Sequence, residues 1–261
     1  MDYLESILLG VIQGLTEFLP ISSSGHLEIS KAILGNTLSN QESLLFTIVL
    51  HSATAFSTIF FFRKDLLNIF KGIFLKNYNE SHDFSISILI SMIPAVLVGL
   101  FFEETINSLF DGNLILVGSM LYITALLLFL SDFLKLKKNE ISFKNSFLIG
   151  LSQAIAILPG ISRSGATIAS AVILGIEREQ AARFSFIMVI PLILGSMAKS
   201  ILDHGMSFEN FDLISLILGF LSAFITGLFA CKWMILLVKK SKLYYFSIYC
   251  CIVGSIIIYY S

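Results

Sequence analysis

Charged side chains are scarce in this sequence. Asp, Glu, Lys and Arg make up 13% of its 261 residues, against about 25% in typical soluble domains. Hydrophobic residues reach 56% of the chain, and the mean hydropathy is +0.88. A soluble fold of this length could not bury that much apolar surface, so the excess must face lipid. The composition therefore excludes a water-soluble domain and indicates an integral membrane protein.

The sequence also lacks an excess of positive charge. Its 17 basic and 18 acidic residues give a net charge of −1, so we expect no nucleic-acid partner. Three cysteines, Cys231, Cys250 and Cys251, lie in apolar stretches and show neither a disulfide framework nor metal-ligand spacing. Asp2 and Glu5 stand where a signal peptide would carry basic residues, so we expect no cleavable signal.

Six segments are long and apolar enough, or nearly so, to cross a bilayer as helices, which takes roughly 20 residues. They are residues 43–62, 84–102, 113–131, 184–199 extended to about 202, 213–231 and 243–260. Two more apolar regions, 6–34 and 145–176, are interrupted by proline and polar residues. Each divides into two pieces of about 11–17 residues, too short to cross a core of ~30 Å. We therefore predict an all-α membrane protein with six transmembrane helices and two re-entrant helical hairpins.

The charges of the connecting loops predict the orientation. Lysine and arginine concentrate in loops 63–83, 132–144 and 232–242, whereas loops 103–112 and 203–212 carry acidic residues and no basic ones. Basic loops accumulate on the cytoplasmic side. The alternation is consistent only if both interrupted regions re-enter the membrane, and it then places both termini outside the cytoplasm.

The two interrupted regions repeat each other 140 residues apart. Residues 10–13 (Gly-Val-Ile-Gln) match 150–153 (Gly-Leu-Ser-Gln), and 21–25 (Ile-Ser-Ser-Ser-Gly) match 161–165 (Ile-Ser-Arg-Ser-Gly). Three predicted crossings separate the copies, so their orientations are opposite. Broken helices of such inverted repeats meet near the midplane around a shared site. We predict one membrane domain, 1–261, made of inverted repeats 1–132 and 145–261, with the two hairpin tips facing each other.

The first tip combines a carboxylate, hydroxyls and an imidazole. Gln13 and Glu17 are four residues apart and share a helical face, and the serine turn that follows can cap the next helix. The N-terminal N–H groups of that helix point into the tip and favour an anion. Ser23 and His26 are one helical turn apart, so we predict Glu17, Ser23 and His26 to be catalytic. The candidate substrate-binding residues here are Gln13, Ser22, Ser24 and Gly25.

The second tip has the same construction and adds Arg163, which we also predict to be catalytic. The planar guanidinium can bond two phosphate oxygens at once. Helix breaking alone could explain either turn, but ionisable groups within a bilayer are costly and usually functional. His51 stands in no motif, and we assign it a structural role. The candidate substrate-binding residues of the second tip are Gly160, Ser162, Ser164, Gly165 and Thr167.

These paired motifs resemble those of the bacterial undecaprenyl-diphosphate phosphatases of the bacitracin-resistance type, over nearly the whole chain. The first motif of that family accepts Glu or Gln at its first position, which is Gln13 here. The resemblance implies hydrolysis of undecaprenyl diphosphate to undecaprenyl phosphate and phosphate. That reaction recycles the lipid carrier of cell-wall synthesis and gives bacitracin resistance. It also implies the bacterial inner membrane as the location.

The residues leave several points open. The nucleophile is Ser23, His26 or an activated water, and Glu17 either orients His26 or removes the proton itself. Mg²⁺ or Ca²⁺ is a candidate cofactor that would neutralise diphosphate charge, but the metal ligands are unknown, because Glu17 is the only carboxylate of its pair. The expected partners are the polyprenyl diphosphate and membrane lipid, and a homodimer stays open.

Two other classes are less consistent with the sequence. Ser24-Gly25-His26 resembles a motif of the type-2 phosphatidic acid phosphatases. That family needs a histidine six residues after the arginine of its other motif, and six residues after Arg163 this chain has Ala169. A lipid transporter or flippase would also use inverted repeats and broken helices. Serine, histidine and glutamate within ten residues favour an enzyme, and a second, flippase activity stays open.

Labelling with a membrane-impermeant thiol reagent tests the orientation. In a variant without the native cysteines, Lys137→Cys should stay unlabelled in intact cells, because loop 132–144 is expected to be cytoplasmic. Glu104→Cys, in an acidic loop, is the matched control and should be labelled from outside. Labelling of position 137 in intact cells would contradict the inverted-repeat topology.

Overall fold

The chain is described by a computed structural model that covers residues 2–35, 40–75, 77–102, 105–106, 109, 113–133, 139–204, 212–240 and 242–261. Over these ranges no β-strand occurs, and the backbone forms eleven named helices. They are α1 (Tyr3–Thr16), α2 (Ser23–Leu34), α3 (Asn40–Phe61), α4 (Arg63–Ile73), α5 (Glu80–Phe101), α6 (Leu114–Phe133), α7 (Phe143–Ile155), α8 (Arg163–Ile173), α9 (Arg178–His204), α10 (Leu213–Lys240) and α11 (Tyr244–Tyr260).

A helix lies at each of the six predicted spans. Five of them, α3, α5, α6, α9 and α10, are long and apolar enough to cross a membrane, whereas α11 has 17 residues. This confirms an all-helical integral membrane protein within the described residues. Residues 134–138 of the basic loop 132–144, and most of the acidic loops 103–112 and 203–212, lie outside the described residues.

Two helices extend further than hydropathy predicted, and ion pairs explain the difference. α9 begins at Arg178 rather than at 184, and α10 continues to Lys240 rather than ending at 231. Lys239 of α10 binds Glu179 of α9 (2.7 Å), and Arg178 binds Asp132 at the end of α6 (2.5 Å). Charged residues therefore continue these helices beyond their apolar parts, where a hydropathy window ends.

The two interrupted regions form helix–turn–helix hairpins in matching registers. α1 begins at Tyr3 and α7 at Phe143, and after each turn α2 begins at Ser23 and α8 at Arg163, a constant offset of 140. Ser22 and Ser162 are the N-caps of the second helices, and each side chain accepts from the N–H of the glycine three residues on. The serine turns thus stop one helix and start the next.

Small residues let the first helix of each hairpin approach a longer helix closely. Gly10 and Gly14 of α1 lie against α10, where added Cβ atoms would meet Gly219 O at 2.5 Å and Ala223 O at 2.6 Å. Gly150 of α7 lies against α5 in the same way, and its Cβ would be 2.4 Å from Ser91 O. Each hairpin is therefore held by backbone contact with a helix from the other half of the chain.

Substituting a glycine at one of these contacts should destabilise the protein. Gly150→Ala places a methyl group on the Ser91 carbonyl, a backbone atom that cannot move away cheaply, so we expect a cost of about 1–3 kcal/mol. Gly99→Ala is the matched control: it lies in α5, and its Cβ would meet nothing within 4 Å. It should be neutral or stabilising, because alanine favours helices.

Thermal unfolding of the purified proteins in detergent measures the difference. Equal midpoints for Gly150→Ala and Gly99→Ala would show that α7 does not pack on α5 as closely as described.

Candidate active site

The tips of the two hairpins touch. A Cβ on Gly25, in the first turn, would lie 3.3 Å from the Cα of Gly160 in the second. Ser164 Oγ donates to the carbonyl of Leu19 at 3.1 Å, and so joins the start of α8 to the turn that follows α1. Gly160 has a φ of 94°, a conformation open to glycine at little cost. The polar turns therefore form one site.

Glu17 is the centre of this site. The residue is the C-cap of α1 and is buried. One carboxylate oxygen, Oε1, forms an ion pair with Arg163 Nη2 from the other hairpin. The second oxygen, Oε2, accepts from Ser23 Oγ at 2.7 Å and from Gln13 Nε2 at 3.0 Å. A hydroxyl bonded to a carboxylate in this way is an arrangement that can activate a nucleophile.

Ser22 holds this part of the turn in an unusual backbone conformation. Its φ is 72°, the positive range that side chains other than glycine rarely adopt. The next residue, Ser23, is the first of α2, with its hydroxyl on Glu17. Strain of about 1–3 kcal/mol is stored mainly at functional sites. The conformation of Ser22 places Ser23 at the N-terminus of a helix, where an anion is favoured.

In the described part of the chain, one terminal nitrogen of the Arg163 guanidinium is bonded and the other has no partner. Nη2 binds Glu17, whereas Nη1 is buried and has no hydrogen-bond partner in the described part of the chain. A small pocket is lined by the arginine together with Glu17, Ser164, Thr54 and Thr58, among other residues. The free half of a planar donor is suited to a phosphate oxygen.

The other predicted residues of the second tip have structural partners. Ser162 Oγ caps α8, and its backbone N–H donates to Thr124 Oγ1 at 2.9 Å. Thr167 Oγ1 donates to Arg163 O at 2.8 Å and shares a hydrogen bond with Ser185 Oγ at 2.6 Å. These residues brace the turn, and Arg163 and Ser164 are the two that line the pocket.

His26 lies beside the site, and its ring nitrogens have other partners. Nδ1 is 2.8 Å from the carbonyl of Ser22, and Nε2 is 2.8 Å from the hydroxyl of Tyr249. Among the described residues, Glu17 contacts Gln13, Ser23, Arg163 and a second histidine, and no direct bond joins it to His26.

That second histidine is His51, which we interpreted from the sequence as structural. Its Nδ1 donates to Thr47 O at 2.9 Å, and its Nε2 lies 3.9 Å from Glu17 Oε2. No motif surrounds His51, and none marks Tyr249 in the last helix, so neither contact had a signal in the sequence. Only the packing of α3 and α11 reveals them.

Few groups here could hold a metal ion. In the described part of the chain, no cluster contains three or more His, Cys, Asp or Glu side chains. Gln13 contributes one free oxygen, since its Oε1 is buried and has no hydrogen-bond partner among the described residues. Gln153, at the matching position of the second hairpin, is also buried, and neither of its amide atoms has a partner there.

Known proteins are similar in sequence to this chain over nearly its whole length. The family model of the bacitracin resistance protein BacA matches residues 6–256. Proteins named undecaprenyl-diphosphatase are 58% identical over 254 residues in Christiangramia forsetii, covering 97% of this chain and 96% of that protein, and 49% identical over 266 residues in Bacteroides fragilis, covering 99% and 98%. One from Methanobrevibacter smithii is 38% identical over 274 residues, covering 98% and 97%. The chain therefore belongs to the BacA family of bacitracin resistance proteins.

Proposed function

We propose that this protein hydrolyses undecaprenyl diphosphate to undecaprenyl phosphate and inorganic phosphate, with Ser23 as the nucleophile. Family membership and the names of the relatives support the reaction. The observation that supports the nucleophile is the contact of Ser23 Oγ with Glu17 Oε2 at 2.7 Å, beside a half-free Arg163. The activity would recycle the lipid carrier of the cell wall and give bacitracin resistance.

The diphosphate would bind to positive and polar groups that are already present in the candidate active site. The terminal phosphate would meet Arg163 Nη1, the Ser164 hydroxyl and the N–H groups that begin α2 and α8. Guanidinium and helix N-termini stabilise phosphate oxygens most where water is excluded. The polyprenyl tail would remain in lipid, since a tail of that length cannot fit within the protein.

The first chemical step forms a phosphoserine. Ser23 Oγ attacks the terminal phosphorus while its proton passes to Glu17 Oε2, and the bond from phosphorus to the bridging oxygen breaks. Undecaprenyl phosphate leaves, and a protonated His26 at the edge of the turn would stabilise the charge on its departing oxygen. In the second step water attacks the phosphoserine and loses a proton to solvent, and the bond between phosphorus and Ser23 Oγ breaks. Ser23 Oγ takes back the proton held by Glu17 as phosphate departs, which restores the carboxylate.

A divalent cation, Mg²⁺ or Ca²⁺, belongs to the proposal only as an aid to binding. Gln13 Oε1 and the Glu17 carboxylate would hold it beside the diphosphate, because both ions prefer oxygen ligands. When bound, it would neutralise part of the substrate's charge.

The proposed membrane arrangement follows from the helices and the loop charges. The five long apolar helices and α11 would cross the bacterial inner membrane, and the hairpins α1–α2 and α7–α8 would re-enter it from opposite sides. Both termini would lie outside the cytoplasm. The matched register of the hairpins supports the inverted repeats 1–132 and 145–261, with the site between them.

Arg163 should be essential in a way that lysine cannot replace. Arg163→Ala should lower kcat roughly 100- to 1,000-fold, the usual loss on removing one electrostatic donor from an active site. Arg163→Lys should recover little, because a point charge cannot hold Glu17 and a phosphate oxygen together.

Phosphate release from purified protein in detergent measures both variants. Arg183→Lys is the control, since that arginine pairs with Asp65 elsewhere. Near-normal turnover of Arg163→Lys would contradict the proposal that the guanidinium binds Glu17 and a phosphate oxygen at the same time.

Ser23→Ala should abolish turnover and still bind substrate. We expect a loss of at least about 1,000-fold, and combining it with His26→Ala should add little, because residues that act as a unit are not additive. Ser119→Ala, whose hydroxyl bonds its own helix, should keep full activity.

Trapping the phosphorylated enzyme identifies the nucleophile. Acid-stable label points to Ser23. Acid-labile label on His26, or a Ser23→Ala variant with substantial rate, would refute the assignment.

A further inference from the structure

Tyr249 contacts His26 from a distant part of the chain. The hydroxyl lies 2.8 Å from His26 Nε2. The two rings stack, with centroids 5.7 Å apart and planes inclined by 11°. The tyrosine belongs to α11, the last helix, whereas His26 is in the first turn of α2. The contact therefore joins the end of the chain to the edge of the active site.

The hydrogen bonds of His26 define its tautomer. The Ser22 carbonyl can only accept, so the imidazole proton is on Nδ1. In the neutral ring Nε2 then has a lone pair and accepts from the hydroxyl of Tyr249. Both nitrogens are held, so the ring can neither flip nor rotate without losing a bond. A histidine is oriented in this way when the partner of one nitrogen fixes the role of the other.

Neighbouring residues keep α11 in a fixed position under the first turn. Cys250 Sγ donates to the carbonyl of Pro20 at 3.8 Å, one residue along from Tyr249. Ser247 Oγ donates to the carbonyl of Ala125 on α6 at 2.6 Å. Tyr249 itself is 41% exposed. The pair of rings thus lies at the edge of the candidate active site rather than in its interior.

We propose that Tyr249 is a positioning residue, which holds the His26 ring at the edge of the site and stabilises its protonated form while undecaprenyl phosphate departs. This rests on the proposed function. As negative charge develops on the bridging oxygen, the neutral ring takes up a proton from solvent on Nε2. The resulting imidazolium, with its other proton on Nδ1, stabilises that charge electrostatically. The Tyr249 oxygen can then accept from that N–H, and so stabilises the charged ring.

The substitution Tyr249→Phe isolates the hydroxyl, because the ring remains and can still stack on His26. We expect kcat to fall roughly 10- to 100-fold, the effect of losing a hydrogen bond to a group that becomes charged. KM should change little, because Tyr249 does not touch the terminal phosphate. Tyr122→Phe is the matched control: its hydroxyl bonds Ser255 at 2.7 Å and its side chain is 40% exposed. That variant should keep normal kcat.

A double-mutant cycle separates positioning from a general structural effect. In the background of His26→Gln, adding Tyr249→Phe should cause almost no further loss, because the residues act through one another. Losses that multiply, or a Tyr249→Phe variant with normal kcat, would overturn the proposal. If His26→Gln itself turns over normally, the role of His26 in the proposed function is wrong instead. A large loss of kcat in His26→Gln together with a normal kcat in Tyr249→Phe would reject the positioning role of Tyr249 and leave the role of His26 intact.

Discussion

The ion pair between Glu17 and Arg163 is the interaction on which the rest of the structure depends. Each charge alone would be costly in an apolar environment, and the loss of one partner typically costs about 3–5 kcal/mol, because the other charge stays buried. The two residues come from different hairpins, so satisfying them requires the tips to meet. The ion pair therefore fixes the position of the two hairpin tips relative to each other and the residues that surround the site.

The backbone makes this meeting of the tips feasible. Glycines at the helix contacts let α1 and α7 lie directly on longer helices, and serine caps start α2 and α8 at the tips. Two helix N-termini then converge on one place. Their positive ends, together with Arg163, favour negative charge between them, and the Glu17 carboxylate supplies part of it.

The sequence predicted the hairpins and much of the site because those signals are local. Proline, serine and glycine mark each turn, and the spacing of Gln13 and Glu17 marks a shared helical face. The contacts of His51 and Tyr249 are set by the packing of distant helices, which no local pattern encodes. The predicted start of α9 and end of α10 were wrong for a related reason: both helices continue through charged residues that pair with residues of other helices. Topology relative to the membrane stays a prediction, because it rests on loop charge.

The 140-residue register places Ser23 and Arg163 at the same position, the first residue of the helix after each turn. Glu17 corresponds in turn to Ile157, and Gln13 corresponds to Gln153, whose amide atoms have no hydrogen-bond partner among the described residues. A protein with two identical halves would present two arginines that repel, or two serines without a phosphate clamp. Chemistry at this site therefore requires broken symmetry. The duplicated scaffold supplies the geometry twice, and in the proposed mechanism divergence at one position lets the first half attack phosphorus while the second half binds the phosphate.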